Sequence, residues 1–346
     1  MSTTVADETP TKTAAAQPAV PGASPTIPED TLDRSASDVS PPLPQAAAAP
    51  EPSPAPAQET AKPEPIATSE EEPQNPLTKK FTEAEWKALK EFRTQLPKIF
   101  SDAFPDDPDA GNKPYTMWGV TIDPQNPQNA KVSVVLMKFL RARNLSPSEA
   151  AEMLQSTLRW RQSFNVEAAM KEEYPSGVFD RLGANFGRDK EGRPVSYNLY
   201  GNAGAAFDDV QRFLRWRVAF MERDIQFLDF ETVDQILQVH DYEGVSMSSR
   251  TTNSKNAASE ATSIFQGHYP ELLYRKFFVN VPTFLTWIFW IFKPLLSAAT
   301  LAKMSVVGSG PRAIGPVLLP LIDASELPTR YGGNAHLQIG EEKAKH

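Results

Sequence analysis

The chain has 346 residues, a formal net charge of −8 and no cysteine, which excludes disulfides, thiolate metal ligands and a cysteine nucleophile. The charge is concentrated at one end. Residues 1–80 carry 12 Asp/Glu against 5 Lys/Arg, which leaves 81–346 at −1, without the basic excess that nucleic-acid binding favours. The same 80 residues hold 16 of the 32 prolines and no Phe, Trp or Tyr. Such a segment cannot bury enough apolar surface to offset its chain entropy, so 1–80 is expected to be a disordered tail. Neither a basic n-region nor an apolar core follows Met1, so no signal peptide is expected, and the cysteine-free chain fits a reducing compartment.

Folded structure is expected from Phe81. Thr82-Glu83-Ala84-Glu85 has the form of a capping box opening a helix that presents Trp86, Leu89 and Phe92. Pro105-Asp106-Asp107-Pro108 and Asp123-Pro124-Gln125-Asn126-Pro127 read as loops, with 115–120 between them a docked, partly apolar connector. A strong helix is expected over 132–143. The next one starts at Ser146-Pro147-Ser148-Glu149, a serine cap with proline in the first turn and glutamate at the third helical position. Residues 81–175 therefore read as a small helical module.

The pattern changes after Gly187. Asp189-Lys190-Glu191-Gly192-Arg193-Pro194 is a turn, and 195–200 alternates as a strand. A helix over 208–228 follows, striped by Phe213, Trp216, Phe220 and Ile225, then strands near 235–242, 276–281 and 303–307. Strand alternating with helix predicts an α/β layer structure with a largely parallel sheet over 176–335, and 336–346 is read as a C-terminal tail.

Two stretches carry the functional argument. In the strand 235–242, period-two geometry sends His240 and Tyr242 to one face and Val239 and Asp241 to the other. A histidine beside a phenol is either a pair of core residues with satisfied polar tips or a ligand pair facing a cavity; periodicity leaves both readings open. Residues 282–292, Pro-Thr-Phe-Leu-Thr-Trp-Ile-Phe-Trp-Ile-Phe, are apolar almost all round, unlike an ordinary surface helix. The run is shorter than the ~20 residues a membrane span needs. It reads as a buried core helix or as a lid opening toward a membrane, where Trp287 and Trp290 suit the headgroup level.

Five sets of segments follow in order: Leu136-Met137-Lys138-Phe139-Leu140-Arg141-Ala142-Arg143 with Leu158-Arg159-Trp160-Arg161, then Asp189-Lys190-Glu191-Gly192-Arg193-Pro194-Val195, Tyr269-Pro270-Glu271-Leu272-Leu273, Phe278-Val279-Asn280-Val281-Pro282 and Leu327-Pro328-Thr329-Arg330-Tyr331-Gly332-Gly333. Together they resemble the CRAL-TRIO family of lipid-binding and lipid-transfer proteins. The resemblance implies a hydrophobic pocket floored by the sheet and closed by a gate helix carrying Phe284, Trp287, Ile288, Trp290 and Ile291. It further implies transfer of single lipids, phosphatidylinositol above all, by a carrier that is not an enzyme. Such a carrier would be cytoplasmic and associate transiently with endoplasmic reticulum or microsomal membranes.

Within that family the His240-Asp241-Tyr242 run resembles the motif of the fungal non-classical phosphatidylinositol transfer subgroup, whose members bind haem b. The resemblance implies Tyr242 as the axial ligand of ferric iron with His240 beside it, Arg215, Lys276 and Tyr197 as further haem contacts, and Glu271 at a lipid-headgroup position. The Gly308-Ser309-Gly310-Pro311-Arg312 loop departs from the lysine pattern expected for that headgroup site. Two other readings stay open: a haem sensor or redox-stress protein with incidental lipid exchange, and a haem peroxidase. No Gly-x-Ser-x-Gly elbow, nucleotide loop or zinc spacing is present.

Overall fold

The computed structural model describes residues 72–249, 251–283 and 298–337. Residues 1–71 of the expected tail, all five expected gate residues (Phe284, Trp287, Ile288, Trp290, Ile291) and residues 338–346 lie outside them. Ordered structure begins before Phe81. The Asn75 side-chain oxygen accepts from the backbone N–H groups of Leu77 and Thr78, and its amide donates to the Phe230 carbonyl at 2.9 Å. This Asx turn docks 72–80 on the folded body, ahead of the start expected at Phe81.

The first helices form as their caps require. Helix α1 (Glu83–Thr94) opens on a reciprocal box between Thr82 and Glu85, which satisfies two otherwise unpaired N–H groups. Helix α2 (Leu96–Ala103) follows, then α3 (Ala130–Arg141), α4 (Pro147–Phe164) and α5 (Val166–Lys171). The stretch read as a connector is a hairpin, β1 (Tyr115–Met117) with β2 (Val120–Ile122). Its two turn residues, Trp118 and Gly119, both take positive φ, as the tight turn that matches strand twist demands. A tryptophan in the first turn position is a weak sequence signal, and the hairpin is hard to read for that reason.

Five strands form the main sheet: β3 (Gly183–Arg188), β4 (Pro194–Leu199), β5 (Ile236–Asp241), β6 (Leu273–Val279) and β7 (Met304–Val306), in that spatial order. The first pair is antiparallel and the other three are parallel. Strand β3 was not expected, because Gly-Ala-Asn-Phe-Gly-Arg carries no apolar alternation. Helices α6 (Val210–Ile225) and α7 (Thr252–His268) lie between the parallel strands in sequence, and α8 (Ala298–Ala302) and α9 (Pro311–Leu318) flank β7.

The two faces of the sheet differ in chemistry. Val195, Tyr197, Leu237, Val239, Phe277 and Val279 form an apolar face packed on Ile314 and Leu318 of α9, with Ile322, Leu327 and Tyr331. The opposite face carries Ser196, Asn198, Gln238 and His240, yet β4 and β5 are buried along their whole lengths. The helical module continues the core, with Leu136, Phe139 and Leu154 in one cluster with Met221, Ile225, Ile236 and Leu272. Two buried charges tie it down. The Lys138 ammonium donates to the Asp234 carboxylate at 2.7 Å and to the Glu271 carbonyl at 3.0 Å. Arg161 donates two bonds to Glu222, whose Oε1 also accepts from the Tyr269 hydroxyl at 2.6 Å. Among the described residues no helix is long and apolar enough to cross a membrane.

Candidate functional site

A buried sheet face made of polar residues needs a reason, since each unpaired polar group in the interior costs about 1–3 kcal/mol. Ser196, Asn198, Gln238 and His240 are at most 6% exposed, and α6 lowers Arg217 and Asp224 onto the same region at 4% and 1%. Some of these groups satisfy one another: the Ser196 hydroxyl donates to Asp224 Oδ2 at 2.7 Å. Others do not. Both amide atoms of Asn198, Nη1 of Arg217 and Oδ1 of Asp224 have no hydrogen-bond partner among the described residues.

Parallel pairing sets Lys276 opposite Gln238 and Phe278 opposite His240. The Lys276 ammonium has no acceptor among the described residues. Burial, reinforced by the charge of Arg217, brings its pKa down to about 7. Two cations facing one buried region without a dedicated carboxylate form an anion-accepting arrangement. Asp224 answers them only weakly, because burial pushes its carboxyl up to about 7.

At the C-terminal end of β5 three polar rings meet. The Tyr200 ring lies 5.4 Å from His240 and 5.1 Å from Tyr242, and Phe278 closes the group at 5.5 Å and 6.3 Å from the same two rings. Burial, with the nearby charges of Lys276 and Arg217, holds His240 neutral. Its two ring nitrogens are engaged, Nδ1 with the Tyr200 hydroxyl at 3.1 Å and Nε2 with Gln238 Oε1 at 3.3 Å. The Tyr242 hydroxyl has no hydrogen-bond partner among the described residues, and burial followed by Tyr200 drives its pKa upward. Among the described residues Tyr242 Oη is thus left without a partner in this group, and it is an oxygen that could serve as a metal ligand after loss of its proton. Among the described residues no cluster of three or more His, Asp or Glu side chains offers another metal site.

Asp241, between His240 and Tyr242, turns to the other face and fixes the strand end. Its Oδ2 accepts from the Tyr331 hydroxyl at 2.8 Å and lies 2.9 Å from Arg330 Nη2. Its Oδ1 accepts from Asn280 Nδ2 at 2.7 Å and from the Glu243 N–H at 2.9 Å.

The structure thus brings His240, Tyr242 and Lys276 together and separates them from the other expected contacts. Tyr197 pairs in register with Val239 and stacks on Tyr331 at 5.2 Å on the apolar face, so the sheet itself stands between it and Tyr242. Arg215 is paired with Glu172 at 2.5 Å and donates to the Phe164 carbonyl at 3.1 Å, on the α5 side of α6. The tyrosine and arginine that stand near His240 are Tyr200 and Arg217. Tyr200 had a legible signal: it shares the period-two alternation of Ser196 and Asn198, and Tyr197 does not. Glu271 sits just before β6, at the opposite end of the strands from Tyr242: it lies eight residues before Val279, the partner of Asp241, about 25 Å along the strands at ~3.3 Å per residue. It has a positive φ and pairs with Lys303 at 2.8 Å.

The profile of the CRAL/TRIO domain matches residues 181–333 and that of the CRAL/TRIO N-terminal domain residues 88–156. A helical module leading into a sheet with this buried polar face is thus an architecture of the CRAL/TRIO class. The crystal structure of Sfh5 superposes with a TM-score of 0.63 at 27% identity, over 75% of this chain and 91% of that one. Phosphatidylinositol transfer protein SFH5 of Cryptococcus neoformans is 32% identical over 278 residues, 73% of this chain and 88% of the relative. The SFH5 protein of Ajellomyces capsulatus is 35% identical over 266 residues and Patellin-5 of Arabidopsis thaliana 34% over 264, covering 72% and 73% of this chain. The chain spans 55% and 37% of the length of those last two relatives. It belongs to the CRAL/TRIO family, with fungal SFH5 phosphatidylinositol transfer proteins among its relatives.

Proposed function

We propose that this chain transfers phosphatidylinositol between membranes and binds haem b, whose ferric iron Tyr242 would hold. The lipid half rests on the SFH5 relatives, named as phosphatidylinositol transfer proteins. The haem half rests on one observation: the Tyr242 hydroxyl is unpartnered among the described residues, while both nitrogens of His240 are taken.

The surroundings fit the group. Tyr200, Phe278 and the His240 ring provide aromatic walls, and Arg217 and Lys276 are the cations available for propionates, with the Arg217 guanidinium able to offer a forked pair of donors. Bound ferric haem supplies the Lewis acidity that lets a buried phenol ionise. The protein's own part is to keep the phenol dry, oriented and without a competing partner. Glu271 and Lys303, at the far end of the same sheet, are the pair we assign to a lipid headgroup. The two ligands then engage opposite ends of one floor, and membrane docking through 282–292 completes the cycle at an endoplasmic-reticulum or microsomal surface.

The test is a paired measurement on Tyr242→Phe. Purified wild type is expected to show a Soret band and to move phosphatidylinositol between vesicles; the variant is expected to lose the band and keep the transfer. Wild type that takes up no haem on reconstitution refutes the haem half. Wild type that moves no phosphatidylinositol refutes the lipid half. Loss of both activities in the variant alone would make haem and lipid transfer inseparable.

A further inference from the structure

We propose that Tyr200 reserves the metal site for Tyr242 by occupying the one ring lone pair with which His240 would compete. The inference rests on the haem reading above and deepens it.

The direction of each hydrogen bond follows from what each atom can do. Gln238 Nε2 donates to the Met221 sulfur at 3.8 Å, and a thioether only accepts. The Gln238 amide is thereby oriented with Oε1 toward the imidazole, 3.3 Å from Nε2 of His240. A carbonyl oxygen also only accepts, so the ring proton sits on Nε2. A neutral imidazole has one bare nitrogen. Here it is Nδ1, and Nδ1 accepts the Tyr200 hydroxyl proton at 3.1 Å. Arg217 is consistent with this polarity. Its guanidinium lies near the Tyr200 phenol and has no acceptor atom, so it does not compete with His240 for the phenolic proton.

The Tyr200 ring lies within 5.5 Å of both His240 and Tyr242; Tyr200 and His240 satisfy each other, and the Tyr242 hydroxyl has no hydrogen-bond partner among the described residues. The fold places them so. Tyr200 opens the turn Tyr200–Asn202 directly after β4, and the β4–β5 register sets Asn198 against His240. The next residue on the same face of each strand is Tyr200 on one and Tyr242 on the other. Without the Tyr200 hydroxyl, Nδ1 of His240 becomes an unpartnered lone pair two residues from Tyr242. A neutral imidazole binds a metal ion without losing a proton, whereas the Tyr242 phenol must lose one. Histidine would then be the easier ligand. Tyr200 is on this account a positioning residue, acting through His240 and not on the metal.

The experiment uses the full chain. In ligand-free protein labelled with 15N at histidine, wild type is expected to show His240 protonated at Nε2, and Tyr200→Phe to show a mixture of tautomers. On loading with ferric haem, wild type is expected to give the phenolate-to-iron charge-transfer band and its resonance Raman modes. Tyr200→Phe is expected to lose them in favour of a histidine-ligated spectrum, and Tyr200→Phe combined with His240→Ala to recover them. A Tyr200→Phe protein that keeps both the wild-type tautomer and the phenolate signature overturns the inference. So does a loss of phenolate ligation that His240→Ala fails to reverse. Failure of the haem reading is told apart by wild type alone, which would then bind no haem while its tautomer still reports the Tyr200 bond.

Discussion

Arg215 and Arg217 stand two residues apart on α6 and serve opposite sides of it, as the 100° step of a helix requires. Arg215 is held by Glu172 and the Phe164 carbonyl. Arg217 is buried, lies over the Phe265 ring at 4.7 Å and keeps one nitrogen without a partner among the described residues. Haem titration of Arg217→Met is expected to show at least tenfold weaker binding. Arg215→Ala should change binding less than twofold and lower stability by about 1 kcal/mol or less, since its ion pair is 30% and 23% exposed. Equal losses in the two variants would mean that α6 presents a different face to the ligand.

Tyr197 separates a core role from a ligand role. Its hydroxyl is buried and has no hydrogen-bond partner among the described residues, and burial drives its pKa upward. Removing an unsatisfied polar atom from the interior is neutral or favourable. Tyr197→Phe is expected to raise the urea midpoint by an amount worth up to roughly 1–2 kcal/mol and to leave haem uptake unchanged. A fall in haem uptake would place the residue at the site after all.

Asp224 makes stability depend on pH. Burial raises its folded pKa to about 7 from the ordinary carboxylate value of 3.8, so between those values the folded state holds a proton that the unfolded chain has released. Stability from this group is full below pH 3.8, falls as pH rises toward 7 and levels off above that. Asp224→Asn is expected to flatten that slope, with a gain on the order of 2–4 kcal/mol at pH 8 relative to wild type, by the energy of each pKa unit. Urea unfolding of both proteins at pH 5.5 and 8 measures the difference; parallel curves would contradict it.

The Arg161–Glu222 pair anchors α4 to α6 in the interior, with side chains 8% and 5% exposed. Cutting one partner leaves the other charge buried alone. Glu222→Gln also weakens the acceptor for Tyr269, and it is expected to cost about 3–5 kcal/mol in denaturant unfolding. A cost below 1 kcal/mol would mean that water reaches the pair.

Much of the fold was legible from local rules. The Thr82 box and the Ser146-Pro147 start open helices where expected, and the strands near 195, 235, 276 and 303 are all present. What local rules missed has two causes. Strand β3 carries no apolar alternation, and β1 and β2 are only three residues each, joined by a turn that opens on a tryptophan. Likewise, order over 72–80 depends on Asn75 reaching Phe230, a contact across 155 positions.

For the site, period two was enough to put His240 and Tyr242 on one face, because the pleat leaves no alternative once β5 is a strand. Composition alone determined that no cysteine chemistry operates here. The tertiary structure decided which neighbours that face meets. Register with β4 sends Tyr197 to the apolar side and brings Tyr200 to His240, and the seating of α6 turns Arg217 inward and Arg215 outward. A strand's own sequence defines its two faces, but only pairing and packing determine what each face touches. The hydrogen bonds that occupy His240 and leave Tyr242 free among the described residues arise from those contacts.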